Sequence, residues 1–461
     1  MIQNAARIAS IDPTPSLSPL AAALMDKIHA CEAKVAVIGL GYVGLPLILG
    51  FAGANFPVLG LDIDQSKIDA LDAGKSYIKH ITPDAIAAAK NKGRFEASAD
   101  LQRVTEADAV IICLPTPLTK HRDPDLSYIE HTAQAIAPFI KKGQLIILES
   151  TTWPGTTREI MIPILERGSS LKSQADFFTA FSPEREDPGN PNFNTHTIPK
   201  IVGGDGVEAT QLAASLYAGF IQKVVVVSSP DTAEAVKITE NIFRSINIAL
   251  VNELKVIYDA MGIDVWEVIN GAATKPFGFM PFYPGPGLGG HCIPIDPFYL
   301  TWKAREYELN TRFIELAGEI IATMPRYVVN KLIEGLDLRF KKSLSGSNIL
   351  LVGMAYKKNV DDMRETPTLK IIDLLEARGA HIEFHDPFIP VIPHTREHPE
   401  YAGRKSVTLT AQSVAAYDAV MIVTDHDDVD YNLIAKHARL IIDTRNAMES
   451  IPGASDKVIK A

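Results

Sequence analysis

The sequence has little cysteine: Cys31, Cys113 and Cys292 are the only three in 461 residues. Three is an odd number, and their spacings match no zinc-binding pattern. This excludes a disulfide framework of the secreted type and gives no reason to expect a metal centre. So few cysteines in so long a chain are typical of a reduced protein, and we expect a cytoplasmic one.

The sequence also lacks long apolar runs and basic clusters. No stretch of about 18 uninterrupted apolar residues occurs, so no membrane span is expected. The 45 Lys and Arg are outnumbered by 55 Asp and Glu, for a net charge of −10. Without a basic patch, a nucleic-acid partner is not expected. Residues 1–30 lack the basic start and apolar core of a signal peptide and are interpreted as a variable leader, with room for a short helix.

What the sequence does contain is a repeated alternation of buried strands with helical patterns. Short apolar runs separated by helix-like segments are typical of a parallel, doubly wound sheet. The alternation occurs twice, once in each half of the chain. The first set of predicted strands covers residues 34–39, 58–62, 109–114 and 145–149, and the second covers 348–353, 381–386, 419–424 and 440–443.

Between the two sets lies a predicted long helix, from Asp231 to Met261. Its apolar residues recur at helical spacing, and Gly262 closes it. We therefore predict an α/β fold with two Rossmann-like doubly wound domains joined by a central helical domain, whose long helix is a spine and a homodimer surface. The predicted boundaries are 31–229 for the first domain, 230–340 for the centre and 341–461 for the last.

A dinucleotide-binding motif follows the first predicted strand. Gly39, Gly41 and Gly44 have the spacing G-x-G-x-x-G, which allows a tight turn and places a pyrophosphate at a helix N-terminus. Asp62 ends the next strand, where a carboxylate accepts hydrogen bonds from ribose and repels a 2′-phosphate. The alternative is an ordinary glycine-rich turn with an unrelated aspartate. The combined context favours NAD over NADP.

The segment from Pro284 to Pro297 is rich in glycine and contains Cys292. Four glycines in six residues let backbone amides approach a phosphate or an oxyanion. A cysteine at the end of such a loop is a candidate nucleophile, although a packed structural thiol is the alternative. Asp296 is a candidate catalytic acid or simply the N-cap of a helix, and His291 is as compatible with ordering the loop as with catalysis.

These motifs resemble the UDP-glucose/GDP-mannose dehydrogenase family, and within it the UDP-N-acetylhexosamine 6-dehydrogenase branch. The resemblance runs from about Lys34 to about Met448. It includes, in order, Gly39–Gly44, Leu114–Pro117, Glu149–Thr152, Ser182–Arg185, the Lys237/Asn241 pair, the Cys292 loop, and Ala355–Lys357 with Arg364.

The resemblance implies an NAD-dependent, four-electron oxidation of C6 of a UDP-sugar to a uronic acid, for polysaccharide biosynthesis. Cys292 then captures the aldehyde as a thiohemiacetal, which is oxidised to a thioester and hydrolysed. Lys237 and Asn241 match donors to the developing oxyanion. Glu184 and Asp296 both match acids associated with the hydrolytic water, and spacing does not decide between them.

The resemblance also assigns the binding residues. To the cofactor it assigns Gly39, Gly41, Tyr42, Val43, Gly44, Asp62, Lys67, Thr116, Thr151 and Arg364. To the substrate it assigns Glu184, Arg185, Lys237, Asn241, Arg244, Tyr283, Gly287, Gly289, Tyr356 and Lys357.

Two departures from the family pattern bear on the sugar. Pro188 replaces a second acid common in UDP-glucose dehydrogenases, and Lys275-Pro276-Phe277 replaces a His-Pro-Arg pattern common in UDP-N-acetylmannosamine dehydrogenases. Both favour UDP-N-acetyl-D-glucosamine, with UDP-N-acetylgalactosamine and UDP-glucose as alternatives. Two rival functions stay open: a two-electron dehydrogenase of the hydroxyacid type, which has no need for Cys292, and a catalytically silent nucleotide-sugar sensor.

Overall fold

The computed structural model describes residues 17–78, 81–91, 94–119, 123–185, 195–290, 293–395 and 398–461. They form two compact units. The first contains the described residues up to Glu240 together with Phe298–Leu309. The second contains Asn241–Pro297 and Asn310–Ala461.

The first unit is built on an eight-stranded sheet. Its strand order is β3-β2-β1-β4-β5-β6-β7-β8, and the pairs are parallel except for β6 with β7. Every residue of the central strands is buried, because helices cover both faces. The strands are β1 (Val35–Ile38), β2 (Val58–Leu61), β3 (Phe95–Ser98), β4 (Ala109–Ile112), β5 (Leu145–Leu148), β6 (Phe178–Phe181), β7 (Lys200–Gly204) and β8 (Val224–Val226).

The helices of this unit include one from the predicted leader. Helix α1 begins at an N-cap, Ser18, followed by Pro19 at the first helical position. Its residues Ala21, Leu24 and Ile28 are buried in the same hydrophobic cluster as residues of α7. The helices are α1 (Pro19–His29), α2 (Gly44–Gly53), α3 (Gln65–Asp72), α4 (Pro83–Asn91), α5 (Ser127–Ile136), α6 (Ile162–Ser169) and α7 (Val207–Ala218).

The middle of the chain is helical. The predicted long helix is α8 (Pro230–Ala260), and it ends two residues before Gly262, whose φ is +72°. A second long helix, α11 (Arg312–Phe340), contains Pro325 in its interior. The shorter helices α9 (Val265–Ala273) and α10 (Asp296–Ala304) lie between them in sequence.

The second unit contains a five-stranded parallel sheet with the order β10-β9-β11-β12-β13. Two hydrophobic clusters involve its strands, each with different helices. The prediction of two doubly wound α/β domains with a helical segment between them is confirmed. The elements are β9 (Asn348–Val352), α12 (Pro367–Glu376), β10 (His381–His385), α13 (Ala411–Ala416), β11 (Ala419–Ile422), α14 (Tyr431–His437), β12 (Ile441–Asp443) and β13 (Val458–Lys460).

No helix within the described residues is both long enough and apolar enough to cross a bilayer.

Candidate active site

The glycine motif forms the turn between β1 and α2. Gly39 has a φ of +91°, and a Cβ on it would lie 2.3 Å from the Cys113 carbonyl oxygen. A Cβ on Gly44 would lie 2.0 Å from the Gly39 carbonyl oxygen, so both positions require glycine. Around Gly41, in contrast, no described heavy atom lies within 4 Å of a Cβ position. The turn is therefore closed on one side and open where a pyrophosphate would approach.

Asp62 lies directly after β2 and is almost completely buried. Its Oδ2 accepts hydrogen bonds from Leu40 N at 2.9 Å and Lys67 Nζ at 2.8 Å, and its Oδ1 accepts one from Asp64 N at 3.0 Å. These contacts attach the carboxylate to the glycine turn. Within the described residues, Oδ1 keeps the capacity to accept another donor, as a ribose hydroxyl would require.

Thr116 and Thr151 lie in the connections that follow β4 and β5, and the structure brings them together. Thr116 Oγ1 donates to the Thr151 carbonyl oxygen at 2.8 Å. The Tyr299 hydroxyl donates to the Thr116 carbonyl oxygen, and Trp153 packs edge-on against the Tyr299 ring. Neither aromatic residue was singled out from the sequence, although Trp153 directly follows the Glu149–Thr152 motif and Tyr299 lies three residues after Asp296.

Lys237 and Glu184 form a nearly buried pair in the first unit. Lys237 Nζ donates to the Glu184 carbonyl oxygen at 2.6 Å and lies 3.3 Å from Glu184 Oε2. The neighbouring Arg185 donates to the Pro199 carbonyl oxygen and to Glu240 Oε1, both at 2.6 Å. The ammonium group of Lys237 is thus held next to the Ser182–Arg185 motif, and Arg185 is engaged with protein groups.

Glu234 lies one helical turn before Lys237 on α8 and was not predicted. Its Oε2 accepts from Gly155 N at 2.6 Å, and its Oε1 accepts from Thr157 N at 2.9 Å and Thr157 Oγ1 at 2.7 Å. Burial raises the pKa of Glu234 to about 7, against the effect of these donors. The carboxyl attaches α8 to the segment that follows Thr151.

Asn241 and Asp296 form a second buried pair, which lies in the second unit. Asn241 Nδ2 donates to Asp296 Oδ2 at 2.6 Å. Asp296 is the first residue of α10, where a carboxylate also interacts favourably with the helix dipole. Arg244 is a third predicted substrate residue on α8, and its side chain is exposed.

The glycine-rich loop is held along its length by the second unit. Gly285 N donates to Asn252 Oδ1 at 3.0 Å, and Gly290 N donates to the Arg364 carbonyl oxygen at 3.0 Å. A Cβ on Gly287 would lie 2.8 Å from Pro367 Cβ. His291 and Cys292, which follow this loop, lie outside the described residues, as does Pro188.

Tyr283 is placed at the start of the loop by Trp266. The two rings stack at 5.3 Å with an interplanar angle of 11°. The Tyr283 hydroxyl donates to Asn270 Oδ1 at 2.8 Å. The side chain is therefore ordered while almost half of its surface stays exposed.

Tyr356 and Lys357 follow β9, and Tyr356 contacts the glycine-rich loop. A Cβ on Gly289 would lie 2.6 Å from Tyr356 Cβ, and one on Gly290 would lie 2.9 Å from the Tyr356 ring. Lys357 is half-buried. Arg364 donates through Nε and Nη2 to both oxygens of Asp362, at 3.0 and 2.6 Å, and remains partly exposed.

Arg445 is a candidate site residue that the sequence analysis missed. It follows β12, and its Nε donates to the Val423 carbonyl oxygen at 2.9 Å. A Cβ on Gly285 would lie 2.6 Å from Arg445 Nη1, so the guanidinium borders the glycine-rich loop. A basic residue two positions after a predicted strand was the available signal, but nothing in the sequence connects it to a loop 160 residues earlier.

The chain matches three domains of a single protein family. Residues 33–221 match the NAD-binding domain of the UDP-glucose/GDP-mannose dehydrogenase family, 231–321 match its central domain and 350–450 its UDP-binding domain. The chain belongs to the UDP-glucose/GDP-mannose dehydrogenase family. It is therefore an NAD-dependent oxidoreductase of the UDP-sugar dehydrogenase type, and the resemblance predicted from the motifs is confirmed.

The named relatives differ in their sugars. The chain is 36% identical over 399 residues to the UDP-N-acetyl-D-glucosamine 6-dehydrogenase of Pseudomonas aeruginosa, covering 86% of this chain and 91% of the relative. It is 33% identical to an NDP-N-acetyl-D-galactosaminuronic acid dehydrogenase of Ralstonia solanacearum, with 89% and 95% covered. A solved UDP-N-acetyl-D-mannosamine dehydrogenase from Pyrococcus horikoshii superimposes with a TM-score of 0.81 at 32% identity, covering 91% and 97%.

Proposed function

We propose that this chain oxidises C6 of UDP-N-acetyl-D-glucosamine twice, to the UDP-uronic acid, with Cys292 as the covalent nucleophile. The observation that most supports a reacting centre on α8 is the pairing of two of its residues, one turn apart, with acids: Lys237 with Glu184 and Asn241 with Asp296. A buried lysine and a buried amide supply donors for an oxygen that becomes negatively charged.

The residues around the glycine turn fit NAD. The open space at Gly41 suits a pyrophosphate, and the remaining acceptor capacity of Asp62 suits a ribose hydroxyl. We propose that Gly39, Tyr42, Val43, Gly44 and Lys67 line the same site, with Thr116, Thr151 and Arg364 as further contacts. When bound, NAD⁺ accepts one hydride in each of the two oxidations.

The protein's own part in the reaction begins with stabilisation of negative charge on the C6 oxygen. Lys237 and Asn241 donate to the C6 oxygen as negative charge develops on it. The Cys292 thiolate adds to the aldehyde carbon, which keeps this reactive group from leaving between the two oxidations. After the second oxidation the product is a thioester, and attack by water releases the carboxylate and regenerates the thiolate. Glu184 and Asp296 are the two acids proposed to order that water.

We propose that the nucleotide portion is held by the second unit. Tyr283, Gly287 and Gly289 are the proposed contacts from the glycine-rich loop. Lys357 and Arg445 contribute positive charge near that loop. Arginine is well suited to phosphate oxygens, because its guanidinium donates two parallel hydrogen bonds. Arg185 and Arg244 complete the proposed substrate contacts.

The nucleophile is tested by replacing Cys292 with serine. The variant is expected to lose nearly all turnover, since a serine hydroxyl is a poor nucleophile at its normal pKa and an ester hydrolyses more slowly than a thioester. Intact-mass spectrometry after incubation with UDP-sugar and NAD⁺ looks for the trapped ester. Full-rate turnover of Cys292→Ser, with two NADH per uronate, would contradict cysteine catalysis. One NADH per product from the unmodified enzyme would instead support the hydroxyacid-type rival.

The sugar is tested with a panel of UDP-hexoses monitored by NADH absorbance. The replacement of both family patterns, at Pro188 and at Lys275–Phe277, supports UDP-N-acetyl-D-glucosamine. A kcat/KM about tenfold higher with UDP-glucose, or about 1.4 kcal/mol in transition-state binding, would contradict this assignment. No NADH with any UDP-sugar would support the silent sensor.

We also propose that the chain forms a homodimer through α8. Phe243, Leu250 and Ile257 are seven residues apart and each leaves almost half of its side chain exposed. Met261 continues the same stripe and is 63% exposed. An apolar stripe of this spacing matches a helix that packs against another helix. Light scattering should give a dimer mass, and Leu250→Asp should reduce it to that of a monomer.

A further inference from the structure

The loop that presents Tyr356 and Lys357 is attached to the rest of its domain by side chains from two other segments, those of Asp386, Thr424 and His426. This loop, residues 353–359, starts at Gly353, whose φ is +95°. A Cβ on Gly353 would lie 2.5 Å from Thr424 Cβ, and Thr424 Oγ1 donates to the Ala355 carbonyl oxygen at 2.7 Å. The segment after β11 therefore fixes the first half of the loop.

Asp386, directly after β10, holds the same part of the loop through its carboxylate. Its Oδ2 accepts from Met354 N at 2.6 Å and Ala355 N at 2.9 Å. Its Oδ1 accepts from Phe388 N at 2.7 Å and Ile389 N at 3.0 Å. With a contact from His426, five donors converge on one buried carboxylate.

His426 connects Asp386 to the far end of the loop. It is completely buried, with Nε2 3.1 Å from Asp386 Oδ2 and Nδ1 3.0 Å from Asn359 N. Asn359 N is an obligatory donor, so Nδ1 must accept and the proton must lie on Nε2, which donates to Asp386. The ring therefore bridges the two ends of residues 354–359 in one defined tautomer.

We propose that His426 is a positioning residue for the nucleotide of the UDP-sugar. It fixes the backbone on either side of Tyr356 and Lys357, so that these side chains meet the nucleotide without first being ordered. This inference rests on the proposed function of that loop. A preorganised loop binds more tightly, because the entropic cost of ordering it has been met during folding.

The two functions of the ring can be separated by two conservative variants. In His426→Asn the amide oxygen takes the place of Nδ1 and still accepts from Asn359 N. In His426→Gln the amide nitrogen takes the place of Nε2 and still donates to Asp386, but Asn359 N loses its acceptor. His437→Gln is the matched control, since His437 lies half-buried in the last turn of α14.

The measurement is the Kd of UDP for the full chain by isothermal titration calorimetry, together with the KM of UDP-N-acetyl-D-glucosamine and of NAD⁺. His426→Gln should weaken UDP binding about tenfold, because the Asn359 N–H loses its acceptor and the end of the loop is released. His426→Asn should stay within about threefold, and the KM of NAD⁺ should change by less than about twofold in both. His437→Gln should resemble the unmodified chain. A general structural defect would move the KM of NAD⁺ as well.

Lys357→Ala separates failure of this inference from failure of the proposed function. If Lys357→Ala weakens UDP binding and His426→Gln does not, the positioning role is wrong while the loop still binds nucleotide. If Lys357→Ala has no effect, the loop is not the nucleotide site and both are wrong. Equal losses in His426→Asn and His426→Gln would also overturn the proposed bridge to Asn359.

Asn359→Gly is the second route if His426→Gln does not fold. Asn359 has a φ of +59°, which glycine adopts freely. Its exposed side chain donates through Nδ2 to Asp427 Oδ2, and its Oδ1 accepts from Asp427 N at 3.0 Å. Removing them loosens the same loop without burying an unpaired group. UDP binding about threefold weaker is expected, and an unchanged Kd would overturn the inference.

Discussion

The two doubly wound domains begin with the same pattern and use it differently. In each, the first strand is followed by a glycine of positive φ, Gly39 or Gly353, and the second strand by an aspartate, Asp62 or Asp386. Asp62 keeps acceptor capacity for a ligand, whereas Asp386 receives five donors from the protein. The same acid at a strand end keeps room for a further donor in one domain, where we propose a ribose hydroxyl, and anchors a loop in the other.

The difference follows from what comes after each glycine. In the first domain Gly41 and Gly44 follow, and α2 starts at once, so backbone and helix N-terminus are open to a pyrophosphate. In the second domain Met354, Ala355 and Tyr356 follow, and α12 begins only at Pro367. Side chains and an extra loop thus occupy the place of the phosphate turn, and the aspartate serves to hold that loop.

The largest effect should come from Asp386→Asn. The amide places a donor among groups that all donate, so the free energy of unfolding should fall by about 3 kcal/mol. Hydrogen bonds from His426, Ala355 and Met354 outweigh the effect of burial and keep the pKa of Asp386 below its ordinary value. Its stabilising contribution is therefore present above the unfolded pKa near 3.8 and lost as pH falls through the folded value.

Urea denaturation of the full chain at pH 7 measures the loss in Asp386→Asn, and the same measurement from about pH 5 down to about pH 2 follows the loss of the Asp386 contribution in acid. Asp62→Asn is the control. It should lower the free energy of unfolding by less, about 1 kcal/mol, because fewer protein groups donate to Asp62 than to Asp386. Equal losses at the two positions would remove the distinction between a ligand-binding acid and an anchoring one.

Glu234 tests whether a buried acid with several donors always behaves as Asp386 does. Its pKa is raised to about 7, so its neutral form is favoured by folding. The stability that it contributes is complete below its unfolded pKa near 4.5 and declines as pH rises through 7. Glu234→Gln should thus be less stable than the unmodified chain by about 2 kcal/mol at pH 5, with a smaller difference at pH 8. A difference that grows with pH would contradict the opposite titration of these two acids.

The smallest effect concerns cofactor choice. Asp62→Ala should narrow the preference for NAD⁺ over NADP⁺ by about tenfold in kcat/KM, or about 1.4 kcal/mol, because the repulsion of a 2′-phosphate is removed and Lys67 is released. In the matched variant Asp386→Ala, the folded protein should keep the same ratio of kcat/KM for NAD⁺ to kcat/KM for NADP⁺. A comparable kcat/KM for both cofactors in the unmodified enzyme would show that Asp62 does not discriminate.

Several features of the protein were determined by the sequence alone. Completely buried strands have to be apolar throughout, so β1, β4 and β5 were recognisable as continuous runs. Gly39 and Gly44 mark a turn that no side chain fits, and Thr366 with Pro367 marks a helix start through local hydrogen bonding. These signals depend on neighbours within a few residues.

The partners of the site residues were decided only by the tertiary structure. Lys237 and Glu184 are 53 residues apart, and the Asp386–His426 pair is separated by 40. Asp62 and Asp386 give the same local signal, yet the chain around each decides how many protein donors its oxygens receive: three at Asp62 and five at Asp386. A hydrogen bond depends on where two distant segments meet, and local preference carries no information about that meeting point.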